Sequence, residues 1–284
     1  MDKLALQQKI LAWYEKNKRD LPWRRTTNPY HIMVSEIMLQ QTQVDRVIPK
    51  YEAFLQAFPT IWDLAEAPTS QVLELWSGLG YNSRAIRLQE AAKIICKRYD
   101  GQIPKSRDAL LDLPGIGPYT ANAILSFAHN LPHPCIDTNI RRIILHELKL
   151  SEKTSPAKLY AIAESLIPEN RSRDWHNALM DYGSSILTSR KTGIKPLTTQ
   201  SKFLHSKRWY RGQILKLLIK EKETTYKELI TQFKKTTEEI VTIVQEMEKE
   251  KLVSVENERI TLPMELGRKL FKVSFRYVNN EIRI

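Results

Sequence analysis

The sequence predicts a mainly α-helical protein that ends in a small winged-helix domain. Apolar stripes at three- and four-residue spacing run almost without a break to about residue 187, with no period-two alternation among them. Glycines and prolines fall between these stripes: Pro59, Pro68, Gly78, Gly80, Gly101, Pro104, Pro132, Pro134 and Pro168. After about residue 200 the pattern changes to three short amphipathic segments and then an alternating hairpin.

Taken in order, the amino end MDKLALQQKILAWYEKNKRD is amphipathic and charged. It reads as a helix and not as a secretory leader, so a cytoplasmic protein is expected. Asn28-Pro29 reads as an N-cap followed by proline at the first helical position. The helix it opens carries Ile32, Met33, Glu36, Ile37 and Gln40 at helical spacing. Further helices are expected over 47–57, 70–77, 84–99, 107–112, 119–129, 137–148, 156–167 and 174–187. Within LDLPGIGPYTANAIL, residues 111–125, two of them meet at a rigid bend containing Gly115 and Gly117. A helix-hairpin-helix of this kind aims backbone N–H groups outward and holds a phosphate without reading sequence. Asp137 precedes the next helix, with Asn139 two residues on, and by itself reads as an N-cap. Beyond a linker at 188–206, KRWYRGQILKLLIKEK, TTYKELITQF and TTEEIVTIVQEMEKEK read as three helices. LVSVENERITL then alternates on either side of Glu256-Asn257-Glu258, and three helices followed by a hairpin is the winged-helix order.

The chain of 284 residues carries a net charge of +12, which points to a polyanionic partner, nucleic acid before membrane. No apolar run approaches the ~18–20 residues of a membrane span. Between Asp181 and Glu221 there is no acidic residue, while Arg190, Lys191, Lys195, Lys202, Lys207, Arg208, Arg211, Lys216 and Lys220 lie there. Such a stretch fits a surface that contacts a phosphate backbone. Cys96 and Cys135 are the only cysteines, too few for a disulfide framework or a four-thiolate site, and free core thiols are expected.

Five blocks in register, SEIMLQQTQVDRVIPKYEAF, LWSGLGYNSRAIRL, LPGIGPYTANAILSFA, CIDTNIRRI and HNALMDYGSSI, resemble the helix-hairpin-helix DNA glycosylases, and within them the MutY adenine glycosylases. The resemblance covers about residues 6 to 187. It implies two all-helical lobes with DNA and an active-site cleft between them. Residues 1–27 with 132–187 would form one lobe and 28–131 a six-helix barrel lobe, followed by the basic linker 188–206 and a winged helix over 207–284. It further implies a nucleotide extruded from double-stranded DNA, because the glycosidic bond is out of reach inside the stack. Asp137 would stabilise the cationic sugar, and Glu36, with its pKa raised by burial, would protonate the departing base. Tyr119 would hydrogen-bond to the Asp137 carboxylate and Asn139 would orient it. In relatives that also cut the backbone a lysine follows the hairpin as an amine nucleophile; tyrosine forms no Schiff base, so a monofunctional enzyme is expected. Gln40 and Gln41 resemble the wedge that fills the vacated stack, and Tyr81, Asn82 and Arg84 of GLGYNSR, with Arg190, Lys191 and Lys195, would also touch DNA. A monovalent cation held by hairpin carbonyls and a monomeric, nucleoid-associated protein complete what the resemblance implies.

Three departures qualify it. The four cysteines that usually bind an iron–sulfur cluster correspond to Leu187, Ile194, Leu197 and Phe203, so no cluster is expected and a small hydrophobic plug takes its place. A winged helix stands where MutY enzymes carry a domain that reads 8-oxoguanine. Asn82 occupies the position of a second tyrosine. The expected substrate is adenine opposite 8-oxoguanine or guanine. Thymine or uracil opposite guanine is the rival within the class. A non-catalytic winged-helix DNA-binding protein is the rival outside it, and a winged helix that tethers a protein partner is a further reading.

Overall fold

The computed structural model describes residues 2–197 and 202–263. Two helical lobes and a small α/β domain make up these residues. The first lobe is built on α2 (Pro29–Leu39), α3 (Val44–Ala57), α4 (Ile61–Glu66), α5 (Thr69–Trp76), α6 (Ser83–Tyr99), α7 (Arg107–Leu111) and α8 (Pro118–His129). Local chemistry sets their ends. The Asn28 side chain accepts from the Tyr30 N–H at 2.9 Å, with Pro29 in the first turn, as the sequence predicts. Thr60 and Asp63 form a reciprocal capping box at α4. Asp100 ends α6 in the left-handed region, and Asn130 ends α8 the same way. Trp76, Phe54, Phe58 and Met33 lie at the centre of this lobe. Leu21 and Trp23, which precede α2, belong to its core, as does Cys135, which follows α8.

The second lobe joins α1 (Lys3–Asn17) to α9 (Thr138–Glu147), α10 (Pro156–Ser165) and α11 (Ser172–Ser185) around Leu6, Ile10, Ile143 and Trp175. The chain thus enters one lobe, completes the other and returns. A short α12 (Ser189–Thr192) follows, capped by Thr188, with Gly193 left-handed after it. The hydrophobic plug expected after α11 does not form. Leu187 is buried and Ile194 packs on the second lobe, but Leu197 is 76% and Phe203 55% exposed. The Ser189 hydroxyl donates to the Ile194 carbonyl at 2.8 Å, and Phe203 faces the Arg208 guanidinium, 6.0 Å from its ring centroid, in place of the other three side chains.

The C-terminal domain comprises α13 (Lys207–Glu221), β1 (Glu223–Thr225), α14 (Tyr226–Phe233), α15 (Thr237–Lys249), β2 (Ser254–Glu256) and β3 (Arg259–Thr261). Capping boxes start α14 and α15. The hairpin turns at Asn257 and Glu258, both left-handed, which suits the twist of adjacent strands. Beyond the three helices and hairpin read from sequence, β1 completes an antiparallel sheet of order β1-β3-β2, with Thr224 and Val255 both opposite Ile260. Three residues with one buried position give no period to detect, which is why β1 is invisible in the sequence. Residues 264–284, the end of the expected winged-helix range, lie outside the described residues.

Candidate active site

Between the lobes lies a cleft of about 1050 Å³ whose wall includes Glu36, Tyr119, Asp137 and Asn139. Three separate segments deliver them. Glu36 sits on α2, a helix buried on most of its faces among Met33, Val34 and Ile37. Tyr119 is in the first turn of α8, just past the hairpin. Asp137 and Asn139 lie at the start of α9.

Asp137 is both cap and cleft residue. One carboxylate oxygen accepts from the Ile140 N–H at 2.7 Å and the other from the Asn139 side-chain amide at 3.1 Å. Arg142 holds Asn139 in turn, donating to its side-chain oxygen and to the carbonyls of Gly183 (2.9 Å) and Leu187 (2.6 Å). Gly183 is required there: a Cβ would meet the Asn139 Cβ at 2.8 Å. Burial raises the Asp137 pKa, while the Ile140 N–H, Asn139 and the Arg142 charge work to keep it ionised.

Glu36 is raised by burial as well, without a backbone N–H among the described residues to brace its charged form. Burial is the main cause that pushes it up to about 7; the Tyr119 hydroxyl opposes this, the Asp137 charge adds to it and the Arg24 charge opposes it. The expectation that Tyr119 serves Asp137 is therefore corrected. Its hydroxyl interacts by hydrogen bonding with Glu36 and reaches Asp137 through charge alone. Burial and these two carboxyls hold the phenol protonated, so Tyr119 is a donor to the acid.

Two features of the site escaped sequence reasoning because their partners are far apart in the chain. Asp181 on α11, fully buried, accepts from Arg24 at 2.7 and 2.9 Å, from the Arg19 Nε at 2.6 Å and from the Arg19 backbone N–H at 3.0 Å. Burial would raise its pKa, but the Arg24 and Arg19 contacts overcome this and hold it below the usual carboxylate range. Arg19 and Arg24 also line the cleft, and Arg24 Nε is buried with no hydrogen-bond partner among the described residues. Behind the wall, His176 accepts the Cys135 N–H on Nε2 at 3.2 Å while Nδ1 faces the Ser172 carbonyl at 2.8 Å. This pattern requires the neutral ring with its proton on Nδ1, and burial pushes its pKa down to about 4. The imidazole thereby fixes the extended segment two residues before Asp137.

Of the residues expected at DNA, Gln40 and Gln41 line the cleft, with Gln40 donating to the Thr120 hydroxyl at 3.2 Å. Gly115 is left-handed and its Cβ position lies 3.0 Å from the Arg87 Cβ, so a side chain there is strained and crowded; Gly117 caps α8 with open space around it. Arg190, Lys191 and Lys195 are exposed on the turn after α11. Tyr81 and Asn82 lie at the turn before α6, half-buried. Arg84 does not present itself to a ligand. It is 7% exposed, and its guanidinium donates to the carbonyls of Ile37 (2.6 Å), Met38 (2.9 Å), Gln40 (2.8 Å) and Gly80 (2.9 Å). Its work is to close the C-terminal end of α2, whose last carbonyls have no helical partner.

The four thiolates of an iron–sulfur cluster have no counterpart here, since Leu187, Ile194, Leu197 and Phe203 offer no donor atom. No group of three or more His, Cys, Asp or Glu among the described residues is arranged to hold a metal ion. No helix among them is long and apolar enough to cross a membrane.

Comparison with known proteins agrees with this geometry. Residues 34–169 match the profile of the HhH-GPD superfamily base excision DNA repair proteins. An adenine DNA glycosylase of Mycolicibacterium smegmatis is 41% identical over 194 residues, which cover 66% of this chain and 66% of that protein. An adenine DNA glycosylase of Buchnera aphidicola subsp. Baizongia pistaciae is 39% identical over 213 residues, 73% of this chain and 61% of that protein. The chain therefore spans less than two thirds of the length of either relative. Among solved structures, a thermostable thymine-DNA glycosylase superposes with a TM-score of 0.63 at 31% identity, covering 67% of this chain and 89% of that one.

Proposed function

Since the chain belongs to the HhH-GPD superfamily of base excision DNA repair proteins, on its MutY-like branch, we propose that it is a monofunctional DNA glycosylase acting on a mispaired adenine. The observation that carries this reading is a pair of carboxyls on one cleft, Glu36 raised to about 7 and Asp137 braced by hydrogen bonds to its charged form. A group that still holds its proton near neutral pH can give it to a leaving base, and a braced carboxylate can face a developing cation.

In this reading the extruded nucleoside enters the cleft. The C1′–N bond breaks with its electron pair leaving on the base, and Glu36 donates its proton to the base nitrogen that gains negative character. The sugar becomes an oxocarbenium ion opposite Asp137. At about 4 Å and an effective dielectric of ~20, a carboxylate stabilises that charge by roughly 4 kcal/mol, or ~10³ in rate. Water adds to C1′, its proton passes to the Glu36 carboxylate, and an abasic sugar remains. Tyr119 in place of an amine supports hydrolysis without strand cutting. No step uses a metal cluster.

Adenine is the first choice of substrate, supported by the names of the relatives above, with 8-oxoguanine or guanine as the expected opposite base from the sequence resemblance alone. Thymine or uracil opposite guanine is a second reading, favoured by the fold match to a thymine-DNA glycosylase. Purified protein incubated with duplexes bearing each mismatch, then treated with alkali, tests both. Alkali-dependent cleavage at adenine supports the first, cleavage at the pyrimidine supports the second, and cleavage without alkali contradicts the role given to Tyr119. No cleavage of any duplex would leave the non-catalytic DNA-binding reading standing.

A further inference from the structure

Winged helices of the DNA-reading kind lay their third helix in the major groove, beside the wing. In this chain both elements carry the wrong charge for that. Residues 237–261, which span α15 and the hairpin, hold seven glutamates against three cations. Glu238, Glu239, Glu248, Glu256 and Glu258 are exposed. Lys251 pairs with Glu90 at 2.5 Å and Arg259 with Glu223 at 3.3 Å, while Glu239, Glu246 and Glu250 pair with Lys235, Lys207 and Arg211, which leaves Glu238, Glu248, Glu256 and Glu258 without an ion pair among the described residues. Duplex DNA presents about one negative charge per 1.7 Å of axis, so this face meets phosphate with repulsion. Residues 188–222 are the reverse, with ten cations and one acid.

The same domain is tied to the rim of the cleft. Arg208, in the first turn of α13, lies over the Tyr81 ring at 5.0 Å and donates to its hydroxyl. Tyr81 is left-handed, with φ of +46°, an unfavourable conformation for a residue with a bulky side chain. The Arg84 guanidinium lies 5.7 Å from the same ring and, as described above, grips the end of α2 and its cap residue Gln40. Arg84 also donates to the Thr42 hydroxyl at 3.1 Å. A continuous chain of contacts therefore runs from α13 through Tyr81 and Arg84 to the segment that carries Glu36, Gln40 and Gln41.

We propose that the winged helix is a brace for the cleft rim: Arg208 is a positioning residue that holds the Tyr81 turn, and α15 and the wing stay off the DNA. The domain's contribution to duplex binding then comes from the cations of 188–222. The proposal rests on the glycosylase reading only for its kinetic consequence, and its structural and binding consequences stand apart from catalysis.

The full-length protein is compared with Arg208→Ala, Arg208→Lys and the triple variant Glu238→Gln, Glu256→Gln, Glu258→Gln. Hydrogen exchange without DNA reads the brace directly. Arg208→Ala is expected to speed exchange in residues 39–42 and 79–84 by about tenfold, the loss of one cation–π contact with its hydrogen bond, while the rest of the first lobe is unchanged. Arg208→Lys, which keeps a cation over the ring, restores part of that protection. Unchanged protection in Arg208→Ala overturns the brace whether or not any base is excised. Salt-dependent binding of undamaged duplex reads the face. The triple variant is expected to keep its affinity within about twofold and its salt slope unchanged. A marked gain in affinity with a steeper slope would mean that α15 and the wing lie on DNA, and would overturn that half. If adenine is excised, the ratio of its rates opposite 8-oxoguanine and opposite guanine should fall in Arg208→Ala and recover in Arg208→Lys, a change that general loss of fold would not produce. An unaltered ratio overturns the positioning role while leaving the glycosylase reading intact.

Discussion

Replacing Glu36 by glutamine removes the proton of the proposed acid while keeping its size. Glu36 titrates at about 7 against an ordinary 4.5, chiefly through burial. At ~1.36 kcal/mol per pH unit, that gap is worth roughly 3 kcal/mol as an order of magnitude. The native state binds this proton more tightly than the unfolded chain does. Stability from this group is therefore full below 4.5, is lost as pH rises toward 7, and is level above that. Glutamine has no such ionisation, so Glu36→Gln should gain up to ~3 kcal/mol on the parent between about pH 4 and pH 8. Activity moves the other way. The parent's single-turnover excision rate should fall about tenfold per pH unit above neutrality, and the variant should be slower by roughly 10²–10⁴ with that limb absent. Urea unfolding at two pH values and quenched single-turnover assays on a mismatched duplex read the two effects separately. A parent rate that stays flat from acid to alkaline pH, together with a pH-independent stability difference, would refute the reasoning.

Other outcomes follow from the same geometry. Asp137→Asn keeps an N-cap of equal quality, so urea unfolding should change by less than ~1 kcal/mol while excision drops by about 10³ and duplex binding survives. Gly183→Ala drives a Cβ to 2.8 Å from that of Asn139; unfolding should show a loss of ~1–3 kcal/mol and the excision assay a parallel loss of rate. His176 titrates at about 4 and stays neutral in the fold, so stability present above 6.5 is lost as pH falls from 6.5 toward 4. Because Glu36 titrates in both proteins, the His176→Gln effect is read as a difference: variant minus parent stability in urea unfolding should shift in the variant's favour as pH falls from 6.5 toward 4.

The chemistry-bearing residues were legible because each sits inside a local pattern. Asn28-Pro29 announces α2 and so the face that carries Glu36, and the glycine–proline bend places Tyr119 in the first turn of α8. What stayed hidden is set by contacts across the chain. Arg84, an ordinary basic residue in the first turn of an amphipathic helix, is buried because the end of α2 leaves carbonyls unpaired 44 to 47 positions away. Asp181 and Arg24, 157 positions apart, carry no mutual signal in the sequence. Leu197 and Phe203 show the converse: apolar character implied burial, but Leu197 lies at the open cleft and Phe203 against the Arg208 guanidinium, both largely exposed.

The Asp181 cluster has a mechanical consequence. Arg19 and Arg24 belong to the strap by which the chain leaves α1, and Trp23 anchors that strap in the first lobe while Asp181 belongs to the second. A doubly gripped, solvent-shielded carboxylate at that crossing stiffens the joint, so the gap between the lobes is set before any nucleic acid arrives. On the proposed glycosylase reading, the deformation needed for a nucleotide to reach Asp137 would then fall on the double helix, and base pairs that are already weakened or easily bent would yield most cheaply.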